Sequence, residues 1–169
     1  MTKGVFHPSP GKNFKLPVSK GDDDKQVNEI KAKKSRRCQE LLENFSTGGR
    51  GIKDYEILKQ VGKGGFSRVI LARQKSTGRL CAMKVISIKE LLEKGKFKST
   101  ILERKILMHL RHPFIVGLIE AFRTQNFLHL VLDFCPAGEL FYHLSRQKRF
   151  REEDARVIIA EIILALEHL

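Results

Sequence analysis

A glycine-rich segment and a lysine downstream of it have the residue types and spacing to bind phosphate groups. The segment, Val61 to Val69, reads V-G-K-G-G-F-S-R-V. Its glycines, Gly62, Gly64 and Gly65, have no Cβ, so backbone N–H groups can approach phosphate oxygens closely, and we expect some of them to need a positive φ. Lys84 is the one charged residue in the otherwise apolar run Leu80 to Ile86, where an ammonium needs an anionic partner. The two features together predict an anion site beneath a hairpin.

The glycines also have plainer explanations. Three glycines in nine residues are compatible with a flexible hairpin that binds nothing. The dinucleotide fingerprint G-x-G-x-x-G must open a helix, whereas this chain continues into the strand-like Val69-Ile70-Leu71, and Ser67 occupies the third glycine position. The P-loop pattern G-x-x-x-x-G-K-[ST] does not occur. The dinucleotide fold is therefore disfavoured.

A glutamate nineteen residues after the lysine is a candidate partner for its ammonium. Glu103 lies in a segment with helical spacing of apolar residues, Phe97 to Leu110. An ion pair between this helix and the strand would aim the ammonium of Lys84 at a ligand under the hairpin. The alternative is that Glu103 is simply exposed, as one member of the charged run Glu103-Arg104-Lys105.

A segment after the last predicted strand offers groups for the rest of a nucleotide. Leu132 to Cys135 can present backbone N–H and C=O groups to a planar base. Glu139 follows at the start of a predicted helix, where its carboxylate can accept hydrogen bonds from ribose hydroxyls. Its alternative role is a negative charge at the positive end of the helix dipole.

The patterning around these groups predicts an α+β fold, a five-stranded antiparallel sheet with a main helix packed on one face. The predicted strands are Tyr55 to Gln60, Arg68 to Gln74, Leu80 to Ile86, Phe114 to Phe122 and Phe127 to Phe134. The predicted helices cover residues 88–94, Phe97 to Leu110, Gly138 to Arg146 and Glu152 to Leu169. The last helix is apolar nearly all round, so it must be buried; alone, it would expose a sticky patch.

The composition bounds the class of partner. The chain has 169 residues, 41% of them hydrophobic, and a net charge of +13. We interpret the excess Lys and Arg as a solvated surface around an anion-binding cleft, because they do not alternate with aromatic residues as on a single-strand-binding face. A basic cluster, Lys31 to Arg37, leaves open a nuclear address, a membrane-surface patch or a solvated helix face. A nucleic-acid binder led by this cluster would bind mixed-sequence DNA with strong salt dependence.

The cysteines indicate a reducing compartment. Cys38, Cys81 and Cys135 are odd in number and widely spaced, which argues against a disulfide framework or a zinc site. The N-terminus has no apolar signal region, and no run approaches the ~20 apolar residues of a membrane-spanning helix. We expect a cytoplasmic protein without a transmembrane segment, with the nucleus as an alternative.

Three regions are predicted. Residues 1–51 form a basic, mostly disordered extension with a short helix over 26–45, because Pro, Gly, Ser and charged residues dominate its start. A domain begins near Ile52 and its sheet-containing part runs over 52–134. Residues 135–169 are a linker followed by the first helices of a second, incomplete part.

Read in order, the motifs resemble the N-terminal half of a eukaryotic protein kinase. They are G-K-G-G-F-S-R-V, C-A-M-K, a glutamate nineteen residues later, H-P-F-I-V and L-V-L-D-F-C-P-A-G-E-L-F. The set is most similar to the AGC group of serine/threonine kinases and covers about Asp54 to Leu169. The resemblance implies a kinase N-lobe, with an αC-type helix, followed by the first helices of the C-lobe. It also implies transfer of the ATP γ-phosphoryl group to protein hydroxyls, with basic protein substrates expected.

The resemblance also implies roles for matching residues. Lys84 would bind the α- and β-phosphates and pair with Glu103, and these two would be the catalytic residues of this chain. Ala82 and Val69 would sandwich adenine, Leu132 would stand at the back of the base pocket, and Asp133 and Cys135 would bond the adenine edge through their backbones. The residues expected to contact ATP are Val61, Gly62, Lys63, Gly64, Gly65, Phe66, Ser67, Arg68, Val69, Ala82, Lys84, Leu132, Asp133, Cys135 and Glu139.

Other family features map less completely. Leu107 and Leu118 match positions of an apolar spine. A groove that accepts a Phe-containing tail would be lined by Ile88, Leu92, Phe97 and Leu128, which are equally compatible with plain core. Two positions depart from the pattern. Ser67 replaces the third glycine, and Ser99 stands where AGC kinases usually carry a histidine that contacts the phosphorylated activation loop.

The catalytic loop of the family does not occur in these residues. There is no H-R-D, Y-R-D or D-F-G, so the general base and the Mg²⁺ ligands are missing and no residue is assigned to a metal. We expect the chain to be the front part of a longer kinase that uses ATP and Mg²⁺, and to be inactive alone. The alternative is a non-catalytic nucleotide-binding or docking module, either a truncated kinase or a pseudokinase.

Overall fold

The structure is a computed structural model that describes residues 35–169. The predicted disordered tail, the first part of the predicted helix over 26–45 and most of the Lys31 to Arg37 cluster lie outside the described residues. Residues 35–43 form a helix, α1, and Ile52–Asp54 a single 3₁₀ turn. The contacts reported below belong to the unit Gln39–Leu169.

Five strands and four further helices follow the 3₁₀ turn. They are β1 (Tyr55–Lys63), β2 (Ser67–Gln74), β3 (Leu80–Ser87), α2 (Ile88–Glu93), α3 (Phe97–His109), β4 (Leu118–Arg123), β5 (Phe127–Asp133), α4 (Leu140–Gln147) and α5 (Glu152–His168). The strands form one sheet in the order β1-β2-β3-β5-β4, and every neighbouring pair is antiparallel. The predicted α+β class is therefore confirmed.

Two element starts differ from the sequence-based prediction. The strand expected from Phe114 begins only at Leu118, because the chain turns after Pro113 and the N–H of Ile115 donates to the C=O of His112 at 3.1 Å. The helix expected from Gly138 begins at Leu140. Gly138 has φ +75°, in the left-handed region, which a right-handed helix cannot include.

Apolar side chains are buried on both faces of the sheet. Alternation along each strand sends every second side chain to one face, where Tyr55, Ala72, Cys81, Met83, Phe122 and Val131 pack together as the core cluster. Ile86, Leu128 and Leu130 are buried on the other face. On the sheet's other side α2 contacts β3, and α3 contacts β4. The apolar residues that α2 and α3 bury are Leu91, Phe97 and Ile101. The helix α3 therefore lies where it can bring one of its side chains to the sheet.

The last helix exposes its apolar side chains. Between 47% and 63% of the surface of Val157, Ile159, Ile162, Ile163, Leu164 and Leu166 is accessible. The exposed patch predicted from the all-round apolar pattern of α5 is present. No helix among residues 35–169 is long and apolar enough to cross a membrane.

A buried histidine on β5 gives the fold a dependence on pH. His129 is 4% exposed and its ring stacks on Phe122 with centroids 4.6 Å apart. Its Nε2 lies 3.2 Å from Oγ1 of Thr124, whereas Nδ1 has no hydrogen-bond partner within the described residues. Burial lowers the pKa of His129 to about 4, so the ring is neutral in the folded protein at pH 7.

We expect stability to fall as the pH drops from 6.5 to 4. In that window the unfolded chain binds a proton that the folded imidazole does not, so the free energy of unfolding should fall by up to about 3 kcal/mol. Urea titrations at several pH values measure this. A His129→Phe variant should lose much of that pH dependence, whereas His109→Phe, at an exposed position, should keep it. An unchanged pH dependence in His129→Phe would contradict the assignment.

Candidate functional site

The glycine-rich segment forms the tight hairpin between β1 and β2. The N–H of Gly64 donates to the C=O of Ser67 at 2.8 Å. A Cβ on Gly64 would lie 2.9 Å from Oγ of Ser67, while one on Gly65 would meet nothing within 4 Å. A side chain at position 64 would therefore require the Ser67 hydroxyl to move. The expectation of a positive φ is wrong, because the positive-φ glycines in residues 35–169 are Gly78, Gly95 and Gly138.

A bulge precedes the hairpin. Val61 is an extra residue between the cross-strand pairs Gln60–Ile70 and Gly62–Val69. An extra residue of this kind bends the strand and increases its local twist. The bulge therefore sets the angle at which the hairpin leaves the sheet.

The strand register brings the hairpin and the lysine to one face. Directly paired residues of antiparallel strands project from the same side of the sheet. Val69 pairs with Lys84, and Lys84 pairs with Leu130. Ala82, two residues before Lys84, pairs with Leu132. Four predicted site residues therefore share the sheet face opposite the core cluster: Val69, Ala82, Lys84 and Leu132.

The lysine on this face meets the glutamate of α3. Nζ of Lys84 donates to Oε1 of Glu103 at 2.6 Å, and the two side chains are 25% and 38% exposed. An ion pair this exposed contributes little stability by itself, so its main effect is to orient the ammonium. Glu103 is the one acceptor for Nζ among residues 35–169, and an ammonium has three donors. Two N–H groups are therefore free for a ligand.

Asp133, at the end of β5, makes hydrogen bonds that the sequence analysis did not predict. Oδ2 of Asp133 accepts the N–H of Gly117 at 3.0 Å, and Oδ1 accepts Nη2 of Arg79 at 2.5 Å. The N–H of Asp133 donates to the C=O of Gly117 at 3.1 Å and is thus occupied. Arg79 lies 54 residues away along the chain, and no local pattern indicates such a pairing.

The backbone N–H of Cys135 is open to a ligand. The C=O of Cys135 accepts the N–H of Gly138 at 3.2 Å, whereas the N–H of Cys135 has no partner within the described part of the chain. Glu139 precedes α4 with an extended backbone, and its carboxylate caps no helix N–H. Both interpretations of Glu139, ribose acceptor and helix-end charge, remain compatible with this position.

A second missed residue, Lys94, holds the hairpin tip. Its ammonium donates to the C=O of Gly65 and lies 6.0 Å from the centroid of the Phe66 ring. The C=O of Phe66 also accepts the N–H of Ser87 at 3.3 Å. The tip is therefore tied to the ends of α2 and β3, by contacts that only the fold creates.

A cavity of about 580 Å³ adjoins the hairpin on the side away from Lys84. Besides residues 63–68, it is lined by Ile70, Val85, Ser87, Glu90 and Phe127. Ile70 and Val85 pack against the core cluster, so this cavity opens on the face opposite Lys84.

Within residues 35–169 there is no group of three or more His, Cys, Asp or Glu side chains that could hold a metal ion.

The residues considered for a tail-binding groove divide into two kinds. Phe97 and Leu128 are 5% and 0% exposed and belong to the interior, whereas Leu92 is 49% exposed and Ile88 is half-buried. Ser99 is exposed, and its Oγ donates to the C=O of Lys96 at 2.8 Å. Of the four apolar residues, only Leu92 is exposed to an incoming side chain.

Comparison with known proteins agrees with this arrangement. Residues 55–169 match the model of the protein kinase domain. The chain belongs to the protein kinase family. It is 48% identical over 119 residues to a RAC family serine/threonine-protein kinase homolog of Dictyostelium discoideum and 44% identical over 118 residues to the human RAC-beta serine/threonine-protein kinase. It is also 46% identical over 122 residues to the serine/threonine-protein kinase SCH9 of Saccharomyces cerevisiae.

Each of these matches covers 70% of the kinase chain described here, but only 27%, 24% and 15% of the respective relatives. The chain thus spans about a quarter or less of the length of the curated relatives it matches. The resemblance to AGC-type serine/threonine kinases that the motifs indicate is confirmed. In a protein kinase domain, the sheet and α3 correspond to the N-lobe. The helices α4 and α5 correspond to the first helices of the C-lobe.

Proposed function

We propose that this chain is the ATP-binding half of a serine/threonine protein kinase, which transfers the γ-phosphoryl group of ATP to protein hydroxyls. The observation that supports this most is the contact of Lys84 with Glu103 on the sheet face shared with Val69. It leaves an oriented ammonium, with two free donors, on the face shared with the hairpin strand β2, and the hairpin carries no Cβ at positions 64 and 65. Phosphoryl transfer depends chiefly on positioning and charge stabilisation of this kind.

Each part of the nucleotide has a proposed partner. The backbone of Gly62 to Ser67 would cover the phosphates, and Lys84 would bind the α- and β-phosphates. The apolar walls around adenine would be Val69, Ala82 and Leu132. The edge of the base would accept a hydrogen bond from the free N–H of Cys135 and donate one to the C=O of Asp133. Glu139 would accept from the ribose. Mg²⁺, when bound, would neutralise charge on the phosphates.

Regional boundaries and surroundings are also proposals. We assign residues 1–51 to an extension, 52–134 to the N-lobe and 135–169 to the linker and the start of the C-lobe. In a longer kinase, further helices would cover the exposed apolar side of α5. Basic protein substrates follow from the AGC relationship alone. The unpaired cysteines support a cytoplasmic location, with the nucleus as the alternative.

Nucleotide binding by the 169-residue chain tests the proposal. A fluorescent ATP analogue should bind saturably in an anisotropy titration, because the phosphate and base contacts lie within this chain. Unlabelled ATP should displace it, and adenosine should do so more weakly because it lacks the phosphates that Lys84 would bind. A chain that binds mixed-sequence DNA tightly but no ATP would overturn the proposal in favour of a nucleic-acid binder led by Lys31 to Arg37.

A second candidate function is a nucleotide-binding or docking module without catalysis. ATP binding alone does not separate such a module from a kinase, because both would use the same nucleotide contacts. Sequencing the transcript past the codon for Leu169 does. A catalytic loop with its aspartate, followed by D-F-G, supports the enzyme, and a stop codon supports the module.

A further inference from the structure

We infer that residues 42–50 form a strap that holds α3 where Glu103 reaches Lys84, and that Arg104 is the positioning residue through which the strap acts. The inference rests on the proposed function, because it concerns the geometry of the same phosphate-binding pair. Leu42 and Phe45 of this segment are 8% and 0% exposed. The strap is therefore packed against the body of the protein, although its composition resembles the polar chain before it.

One end of the strap grips α3. Nε of Arg104 donates to the C=O of Phe45 at 2.6 Å, and Nη2 donates to the C=O of Asn44 at 3.0 Å. The guanidinium carbon lies 5.4 Å from the centroid of the Phe45 ring. Two hydrogen bonds from a charged donor and a cation–π contact converge on one side chain. Arg104 is thus the main polar attachment of α3 to the strap.

The other end of the strap is anchored on the edge strand β4. The N–H of Thr47 donates to the C=O of Ala121, and Oγ1 of Thr47 accepts the N–H of Ala121, both at 2.8 Å. Nε of Arg50 donates to the carboxylate of Glu120 at 3.0 Å, and the hydroxyl of Tyr55 donates to the same carboxylate. Glu120 is 4% exposed, so this anchor is buried and costly to release.

The attachment matters because α3 is otherwise held mainly at its start. Its buried residues, Phe97, Thr100 and Ile101, all lie in the first half, and no side chain caps its N-terminus. In the second half, Ile106 and Met108 are 45% and 39% exposed, and Leu107 is half-buried. Apolar packing therefore fixes the second half of the helix less firmly than the first.

Arg104 and Glu103 face different neighbours. Consecutive helical residues project about 100° apart, so Glu103 can reach β3 while Arg104 reaches the strap. The turn of α3 that carries Glu103 and Arg104 is therefore bonded to β3 on one side and to the strap on another. Release of Arg104 would let that turn move, and the ammonium of Lys84 would lose the carboxylate that orients it.

The test is an Arg104→Met variant of the 169-residue chain, with Lys105→Met as the matched control. Both remove one positive charge from α3, but the side chain of Lys105 is exposed and makes none of the strap contacts. Arg104→Met should weaken ATP binding about fivefold, the lower end of typical coupling between sites, and leave adenosine affinity unchanged. Amide hydrogen exchange in α3 should become faster than in the control.

The outcomes separate the strap from the proposed function. If the wild-type chain binds ATP and Arg104→Met keeps the same ratio of ATP to adenosine affinity, the strap inference is wrong. If the wild type binds neither ligand, the proposed function fails, and unchanged exchange in α3 would then overturn the strap as well. If Arg104→Met does not fold, Arg104→Lys decides. Lysine keeps the charge but cannot make both hydrogen bonds to the strap. Wild-type ATP affinity and wild-type hydrogen exchange in α3 of Arg104→Lys would therefore refute the role of Arg104.

Discussion

Replacement of Lys84 by methionine is expected to weaken ATP binding by about ten- to hundredfold, while adenosine affinity stays near that of the wild type. Hydrogen bonds to charged groups contribute about 1.5–3 kcal/mol, and each 1.4 kcal/mol is about tenfold in affinity. Lys84 has two donors free for phosphate oxygens once Glu103 has taken one. Methionine keeps the length of the side chain and removes those donors. Titration of each variant with ATP and with adenosine measures the effect.

Two further variants make the result specific. Lys75→Met removes an exposed lysine from the turn between β2 and β3 and should leave both affinities unchanged. Glu103→Gln should reduce ATP affinity less than Lys84→Met, because it removes the carboxylate that orients the ammonium but keeps the ammonium. In a complete kinase that carries this chain, Lys84→Met should abolish turnover. ATP affinity at the wild-type level in Lys84→Met would refute the assigned role.

Replacement of Phe45 by alanine is expected to lower the free energy of unfolding by about 3–5 kcal/mol, the usual cost of deleting a buried aromatic ring. Phe45 is fully buried, and its loss would leave a cavity and remove the cation–π contact with Arg104. Urea denaturation of the 169-residue chain measures the change. The site should be affected too, since α3 would lose part of its attachment to the strap.

Phe141→Ala is the matched control for this prediction. Phe141 is 73% exposed, and truncation of an exposed ring should change stability by no more than about 0.5 kcal/mol. Equal, small effects of the two substitutions would mean that residues 42–50 do not pack as described. A large effect of Phe45→Ala alone would support a packed unit that begins upstream of Ile52, where composition predicts the domain start.

Local patterns predicted the elements of this fold better than their ends. The alternation in β2, the apolar runs of β3 and β5 and the helical spacing in α3 place those elements within one or two residues, because side-chain pattern follows from backbone geometry. The start of β4 was missed because Phe114 to Gly117 is apolar enough to extend a strand pattern, while Pro113 and the bond between Ile115 and His112 turn the backbone. The start of α4 depended on the φ of Gly138, which apolar periodicity does not report.

Residue types at characteristic spacings establish the family and the glycine hairpin and predict the pairing of Lys84 with Glu103. The packing of α3 on the sheet selects between the two alternatives for Glu103, since contact between residues on different elements depends on how the helix docks. Only the folded chain brings Arg104 to the strap, Arg79 to Asp133 and Lys94 to the hairpin tip. Those contacts join residues 29 to 60 positions apart, and chain-distant partners leave no periodic trace in a single sequence.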